Sequence, residues 1–221
     1  MPDTDLKRLA PLLTRVDLVY QAQIYASGDV IKDVYFPDHG IVSLLAVIGP
    51  KATIEVGIVG DEGMVGLPLF FGVSTSIKRA VVQGAGSAMK MTAADFLLES
   101  AGNEKFRELL LRFAYSLMIQ ISQSAVCNRF HPIDARLARW LLMTRDRSHS
   151  DEFPITQEFL SNMLGVRREA ISRTASQFHR KGIITYTRGE LTILDLIELR
   201  RRACACYDVI ADDMADAAAR G

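Results

Sequence analysis

The sequence lacks an excess of charge of either sign. Lysine and arginine together number 26, aspartate and glutamate also number 26, and the formal net charge is zero. Proteins that bind nucleic acid through their overall charge are basic, so this balance argues against a general attraction to polyanions. Any surface that binds nucleic acid must come from a local arrangement of basic residues.

The sequence also has few cysteines and no long apolar run. Its three cysteines, Cys127, Cys204 and Cys206, cannot form a framework of disulfides, which predicts a reducing compartment, the cytoplasm. The first twenty residues lack the charged-then-apolar pattern of a signal peptide. The longest apolar stretch, residues 41–48, is far too short to cross a bilayer, so we expect no contact with a membrane.

Patterns of catalytic residues are missing as well. No nucleophile–base pair appears in a suitable context. The glycine-dense segment GDEGMVG, residues 60–66, matches neither the P-loop nor the dinucleotide fingerprint. The sequence therefore predicts that the protein is not an enzyme.

The cysteines and histidines form no recognisable metal-binding pattern. Cys204 and Cys206 are separated by one residue on a predicted helix, so their side chains are expected on different faces. His131, His149 and His179 are too scattered in sequence to indicate a metal site. We therefore expect no metal.

The 221 residues show two successive sequence patterns. Residues 19–92 contain short runs rich in valine and isoleucine, separated by frequent turn signals, which predicts an antiparallel β-roll. Residues 103–129 contain neither proline nor glycine, which predicts one long helix. We place a sensor roll with its helix in residues 1–130 and a second domain in residues 131–221. The expected fold class is α+β.

The predicted long helix carries more apolar residues than one neighbour requires. Apolar residues recur along it at heptad-like spacing: Phe106, Leu110, Phe113, Leu117 and Ile121. Other apolar positions widen this surface beyond a stripe, and the excess predicts contact with the same helix of a second subunit. We assign these five residues to dimerisation. The alternative is that both apolar faces pack within one chain.

Residues 156–181 predict two short helices joined by a sharp turn. Thr156 is a good N-cap for the first helix, and Gly165 can adopt the left-handed backbone that ends it. Val166 is expected to fill the angle between the helices. The second helix, from Arg167 to about residue 181, directs its apolar residues inward. This is the pattern of a helix-turn-helix.

The outer face of the second helix is rich in groups that can contact DNA. At about 100° per residue, Arg168, Glu169, Ser172 and Arg173 share the face opposite the apolar residues. In the major groove an arginine can donate two hydrogen bonds to guanine, and a glutamate can accept one from cytosine. The alternative is that the arginines only solvate an exposed face and pair with Glu169.

Residues 183–194 predict a β-hairpin directly after this helix. The hairpin has the position of a wing, and Arg188 at its tip is suited to a phosphate. The helix-turn-helix and the wing together predict DNA binding more strongly than the arginine-rich helix would alone.

These features resemble the Crp–Fnr family of transcription regulators, over nearly the whole chain. The segment TQEFLSNMLGVRREAISR, residues 156–173, is similar to the family's signature. The resemblance implies a β-roll like the cyclic-nucleotide-binding fold, a dimerisation helix and a winged helix-turn-helix. It also implies that the Arg-Glu-x-x-x-Arg set reads bases and that Thr-Gln contacts phosphates. With the helix face and the wing, the expected DNA-binding residues are Thr156, Gln157, Arg167, Arg168, Glu169, Ser172, Arg173 and Arg188.

The resemblance also implies partners. They are a second copy of the chain and a double-stranded DNA operator with two-fold symmetry, whose half-sites lie about one helical turn apart. RNA polymerase and a small-molecule effector of the β-roll are further candidate partners.

The sensor end departs from the family members that bind cyclic AMP. Register alignment places Val65 where those members carry the glutamate that holds the ribose, and Lys-Arg-Ala where they carry Arg-Ser-Ala. An unpaired ribose hydroxyl costs on the order of 1–3 kcal/mol, so cyclic AMP is not the expected effector. Sensing through an iron–sulfur cluster needs four cysteines, mostly near the amino terminus, and Cys127 is the first here. No cofactor is therefore expected. The candidate effector-binding residues are Glu62, Val65, Lys78 and Arg79.

Two functions of different classes remain open. The first is a sequence-specific, dimeric transcription regulator whose roll binds an effector. The second is a small-molecule-binding module whose basic helix contacts a protein partner. Substitution of Arg168 and Arg173 separates the two, because only the first predicts a loss of DNA binding.

Overall fold

The computed structural model describes residues 3–49, 53–187 and 189–219. It confirms an α+β fold, in which an antiparallel β-roll is followed by a long helix and by a domain of helices around a small sheet. In the part of the chain described, no helix is both long and apolar enough to cross a membrane.

The roll forms from the segments rich in valine and isoleucine. Its elements are α1 (Asp3–Leu9), β1 (Thr14–Leu18), β2 (Gln23–Tyr25), β3 (Asp33–Val47), β4 (Thr53–Val59) and β5 (Lys78–Thr92). The strands are antiparallel in the order β1-β5-β3-β4, and β2 also pairs with β5. Glycine is required where β3 and β5 approach most closely, because a Cβ atom at Gly86 would lie 2.2 Å from the carbonyl oxygen of His39.

Two helices follow the roll, α2 (Ala93–Gly102) and α3 (Glu104–Phe130). Asn103 begins α3 as its N-cap, because its side chain accepts a hydrogen bond of 3.0 Å from the backbone N–H of Phe106. The observed bounds of α3 agree closely with the predicted long helix. Phe96 of α2 and Phe106 of α3 pack edge to face within the core of the roll.

The structure contradicts the assignment of Phe106, Leu110 and Leu117 to dimerisation. Phe106, Leu110 and Leu117 are buried in the core of the roll, and Phe113 and Ile121 are partly buried against the same core. The roll covers this stripe because it supplies the nearest large apolar surface. A different face of α3 leaves large apolar side chains exposed: Leu111, Tyr115, Met118 and Val126.

The rest of the chain forms a domain of helices around a three-stranded sheet in the order β6-β8-β7. Its elements are α4 (Ile133–Ser148), β6 (Glu152–Pro154), α5 (Gln157–Leu164), α6 (Arg168–Arg180), β7 (Ile184–Thr187), β8 (Glu190–Ile193), α7 (Leu196–Arg202) and α8 (Cys206–Ala219). Trp140 of α4, Leu160 of α5 and Phe178 of α6 are buried in its core. The last helix, α8, packs against α3.

The expectation that Cys204 and Cys206 lie on one helix is wrong. α7 ends at Arg202, Cys204 lies in the connection, and Cys206 is the first residue of α8. The break between the two helices changes the direction of both side chains, and all three cysteines are buried in one cluster.

The roll and the second domain share a continuous interface. Apolar residues of β3 and β4 belong to the same buried cluster as α4, α5 and α6. Polar contacts cross it too: Trp140 Nε1 donates to Glu55 at 2.7 Å, and Gln83 Nε2 donates to Thr144 Oγ1 at 2.9 Å. Buried groups that are paired in this way hold the two parts in one relative orientation.

Candidate nucleic-acid interface

The turn between α5 and α6 has the geometry that its sequence predicts. Thr156 caps α5, because its Oγ1 accepts a hydrogen bond of 3.1 Å from the N–H of Phe159. Gly165 ends α5 with a left-handed backbone, φ +60°. The N–H of Val166 then donates to the Ser161 carbonyl at 3.0 Å, and the Val166 side chain packs against the domain core.

α6 is divided into a buried face and an exposed one. Ile171, Ala175 and Phe178 are buried against the rest of the domain. The polar residues from 168 to 173 span an arc of about 140° on the other side, at about 100° per residue. Because the apolar face of α6 is buried in the core of the domain, only the opposite face is accessible to a partner.

The arginines at the start of α6 are exposed and unpaired. The side chains of Arg167, Arg168 and Arg173 make no hydrogen bond or ion pair with any residue in the described ranges. In particular, none of them pairs with the exposed Glu169, so the alternative of internal pairing is not observed. Ser172 beside them is half-buried. Free guanidinium groups on a rigid helix are ready donors for an external acceptor.

The hydroxyl group of Tyr186 of β7 is hydrogen-bonded to the segment just before α5, a contact that the sequence did not predict. Its hydroxyl donates to the Ile155 carbonyl at 2.8 Å, and it interacts with the backbone of Gln157 and with the charge of Arg168. Burial is the main reason why the pKa of Tyr186 is raised. This contact links the predicted wing to the start of α5. A tyrosine in a predicted wing strand gives no signal of this contact.

Gln157 and Arg188 are the remaining two predicted DNA-binding residues. Gln157 is the first residue of α5, so its backbone N–H lies at the positive end of that helix. Arg188, predicted at the tip of the wing, lies outside the described residues.

α5 packs against the roll. Ile54 of β4 lies so close to the turn that a Cβ atom at Gly165 would be 2.7 Å from its Cδ1. On the adjoining side, the rings of Tyr20 and Phe159 have their centroids 6.2 Å apart. The helix-turn-helix is therefore docked on the sensor roll in this conformation.

The structure does not bring the four predicted effector residues into one site. Glu62 accepts a hydrogen bond of 2.7 Å from Arg147 Nε, and Val65 is buried in the roll. Arg79 instead lines a cleft of about 380 Å³ between the roll and α5, and Lys78 precedes it at the start of β5. The prediction of a single site is wrong because α5 and α8 pack on different sides of the roll and form separate clefts, one lined by Arg79 and the other by Glu62.

Glu62 lines a different cleft, of about 390 Å³, between the roll, α3 and α8. Most of its lining is apolar and includes Met64, Phe113 and Met214. The contribution of α8 to this cleft could not be predicted, because nothing in the sequence of the helix indicates where it packs.

Comparison with known proteins agrees with this geometry. Residues 135–202 match the family described as a Crp-like helix-turn-helix domain. FixK2 from Bradyrhizobium japonicum is similar in structure, with a TM-score of 0.74, 15% identity and coverage of 87% of this chain and 98% of that one. So is the c-di-GMP-responsive global regulator CLP from Xanthomonas campestris, with a TM-score of 0.72, 14% identity and coverage of 88% and 100%.

A third similar structure is a putative Crp/Fnr-family transcriptional regulator from Eubacterium rectale. Its TM-score is 0.69 at 17% identity, and the match covers 91% of this chain and 94% of that one. No curated protein matches the sequence. The matched domain family is a Crp-like helix-turn-helix, and the chain shares its fold with solved transcriptional regulators of the Crp/Fnr family. Residues 135–202 are therefore a Crp-like helix-turn-helix domain, carried by a chain with the fold of Crp/Fnr transcription regulators, as the sequence resemblance indicates.

Proposed function

We propose that this regulator binds a specific DNA sequence through α6 and does so as a homodimer on a two-fold symmetric operator. The observation that carries the proposal is the exposed, unpaired set formed by Arg168, Glu169 and Arg173 on a helix whose opposite face is buried. A regulator of this kind acts where the chromosome is, and its cysteines form no disulfide among the described residues, so the cytoplasm stays the expected compartment.

The dimensions of α6 suit the major groove. A helix of 13 residues is about 20 Å long, and the groove, about 12 Å wide, admits a helix. Arg168 lies in the first turn, where the recognition helix of such motifs meets base edges. We assign guanine contacts to Arg168 and Arg173 and phosphate contacts to Thr156, Gln157 and Arg167.

The exposed face of α3 is the proposed dimer contact. Leu111, Tyr115 and Met118 are exposed there at spacings of four and three residues, and Ser122 and Ala125 continue the same rhythm. This is the heptad spacing that lets two helices pack as a coiled coil. A second copy of α3 is the natural partner, because a two-fold axis pairs identical faces and presents two copies of α6 to neighbouring turns of DNA.

Effector control belongs to the same proposal. A ligand in the cleft between the roll, α3 and α8 would change how α8 and α4 pack on the roll. If the ligand binds more tightly when the helix-turn-helix is in one of two positions, docked or undocked, it shifts the fraction of molecules that can bind DNA. The apolar lining favours a mainly apolar effector.

The test begins with selection of binding sites from a pool of random duplex DNA by the wild-type protein. Fluorescence anisotropy at fixed salt then compares variants on the selected site and on unrelated DNA. Arg168→Ala and Arg173→Ala should each lose about 1–3 kcal/mol on the selected site, roughly 5- to 150-fold in affinity. The expected loss on unrelated DNA is smaller.

Arg201→Ala is the matched control. Arg201 is an exposed arginine on α7, away from α6, and its loss removes the same charge. It should leave the affinity for the selected site within about twofold of wild type. If the two α6 variants bind as tightly as this control, the basic helix does not read bases, and a protein partner becomes the better explanation.

A further inference from the structure

The end of α3 and the connection between α7 and α8 bring four potential metal ligands together. Cys127, His131, Cys204 and Cys206 offer ligand atoms that all lie within 4.8 Å of one another. The Sγ atoms of Cys127 and Cys204 are 3.5 Å apart, and the Cys206 Sγ is 3.6 Å from the Nδ1 of His131. The three cysteines are buried, and His131 is partly buried.

The S–S distance of 3.5 Å and the S–N distance of 3.6 Å are close to the edges of a tetrahedron around one zinc ion, and an ion would draw the more distant ligand atoms, up to 4.8 Å apart, closer together. With Zn–S near 2.3 Å and Zn–N near 2.0–2.1 Å, the expected edges are about 3.75 Å between two sulfurs and about 3.5 Å between sulfur and nitrogen. A cluster of several irons separates its ligands further than one ion does, so the close spacing favours a mononuclear site. Three sulfurs and one imidazole are the ligand set of a structural zinc site.

We propose that Cys127, His131, Cys204 and Cys206 bind one zinc ion in a closed, tetrahedral Cys₃His site. Four protein ligands fill the coordination shell, so no position is left for a substrate, and the role is structural. The sequence analysis expected no metal because His131, His149 and His179 are scattered, whereas the fold brings His131 together with three cysteines.

Two buried arginines beside the site suit its charge. Zinc with three thiolates carries a formal charge of −1. Arg136 and Arg139 are buried, and Arg139 is near enough to all three cysteines to interact with them electrostatically, as Arg136 is to Cys127 and Cys204.

The Nε atoms of Arg136 and Arg139 are also buried without a hydrogen-bond partner among the described residues. A buried cation with an unpaired donor is costly in an apolar cluster. Beside an anionic metal–thiolate centre the positive charge of such an arginine is compensated.

The site would join three parts of the fold. Cys127 lies in the last turn of α3, and His131 is the C-cap of that helix, four residues later on the same side. Cys204 and Cys206 lie on either side of the start of α8, which packs against α3. One ion therefore fixes the junction of α3 and α4 to the C-terminal helices. This role holds whether or not α6 reads DNA.

The test uses the untagged, full-length protein purified under reducing conditions. Elemental analysis should find close to one zinc per chain and no stoichiometric iron. After the zinc is removed with a chelator, titration with Co²⁺ should give the intense visible absorption of a tetrahedral thiolate site, saturating at one equivalent. Zinc should then displace the cobalt.

Variants locate the ligands. Cys204→Ser and His131→Ala should lose the cobalt absorption and the zinc, whereas His179→Ala, which changes an exposed histidine of α6, should keep both. Chelation should lower the Tm of the wild type and of His179→Ala, and leave that of Cys204→Ser unchanged. Because the cobalt titration uses wild-type protein with its fold checked by circular dichroism, it decides the question even if a variant fails to fold.

Three results would overturn the proposal. They are wild-type protein that binds neither zinc nor cobalt at one equivalent, a cobalt spectrum of the weak octahedral kind, or equal metal loss in His179→Ala.

Discussion

Replacing Glu55 with glutamine should remove a pH dependence of stability that arises at the interface between the roll and α4. Glu55 is partly buried there, and its carboxyl group accepts hydrogen bonds of 2.7 Å from both Ser43 and Trp140. Burial raises the pKa of Glu55 from 4.5 to about 7, against the opposing effects of those hydrogen bonds and of the Arg139 and Arg147 charges. In the folded protein the carboxyl group therefore favours its neutral form.

The sign of the effect follows from this shift. The unfolded chain ionises Glu55 near pH 4.5, whereas the folded chain holds the proton until about pH 7. The stability contributed by the neutral carboxyl group is complete below pH 4.5 and is lost as the pH rises through 7. Integrating the two titrations gives a loss of about 2.5 kcal/mol in the free energy of unfolding between pH 5 and pH 8. This value is an upper limit because the residue keeps some contact with solvent.

Chemical denaturation followed by the fluorescence of Trp140 measures this effect. Trp140 is the single tryptophan of the chain and a direct partner of Glu55, so it reports on the same interface. The free energy of unfolding of the wild type should fall from pH 5 to pH 8 relative to that of Glu55→Gln, in which no ionisation is possible. Glu152→Gln, at an exposed position, should follow the wild type. Parallel curves for the wild type and Glu55→Gln would refute the reasoning.

Two further predictions concern α3 and the turn before α6. The double substitution Leu111→Glu and Met118→Glu places charges on the exposed face of α3, so it should convert the dimer into monomers in analytical ultracentrifugation. The control substitution Leu98→Glu, on α2, should leave the dimer intact. A wild-type monomer would contradict the proposed dimer. Gly165→Ala should lower the free energy of unfolding by about 1–3 kcal/mol, because alanine is strained in the left-handed backbone and its Cβ would meet Ile54. Adding Ile54→Ala to this variant should recover part of the loss. Effects of the two substitutions that simply add in thermal unfolding would contradict the docked arrangement.

Local sequence was enough to predict the elements of the candidate interface. Thr156 and Gly165 act through their own backbone neighbours, one as an N-cap and the other through a left-handed φ, so their roles need no information from the rest of the chain. The same holds for the buried and exposed faces of α6, because a helix of known period places its residues by spacing alone. The long helix was predictable for the same reason.

Contacts between distant segments could not be predicted in this way. Periodicity identifies the apolar faces of α3 but not which face the roll covers, since that depends on where β3, β4 and β5 close. Glu62 and Arg79 looked like parts of one pocket in the sequence, yet they lie in separate clefts because α5 and α8 pack on different sides of the roll.

The cysteines show the limit most clearly. Cys127 and Cys204 are 77 positions apart, and their sulfurs meet only because α8 returns to the end of α3. Hydrogen bonds and backbone angles act over a few residues, so they can be read from a short segment. The packing of apolar surfaces has no direction and no fixed sequence separation, and for that reason only the folded chain decides which side chains become neighbours.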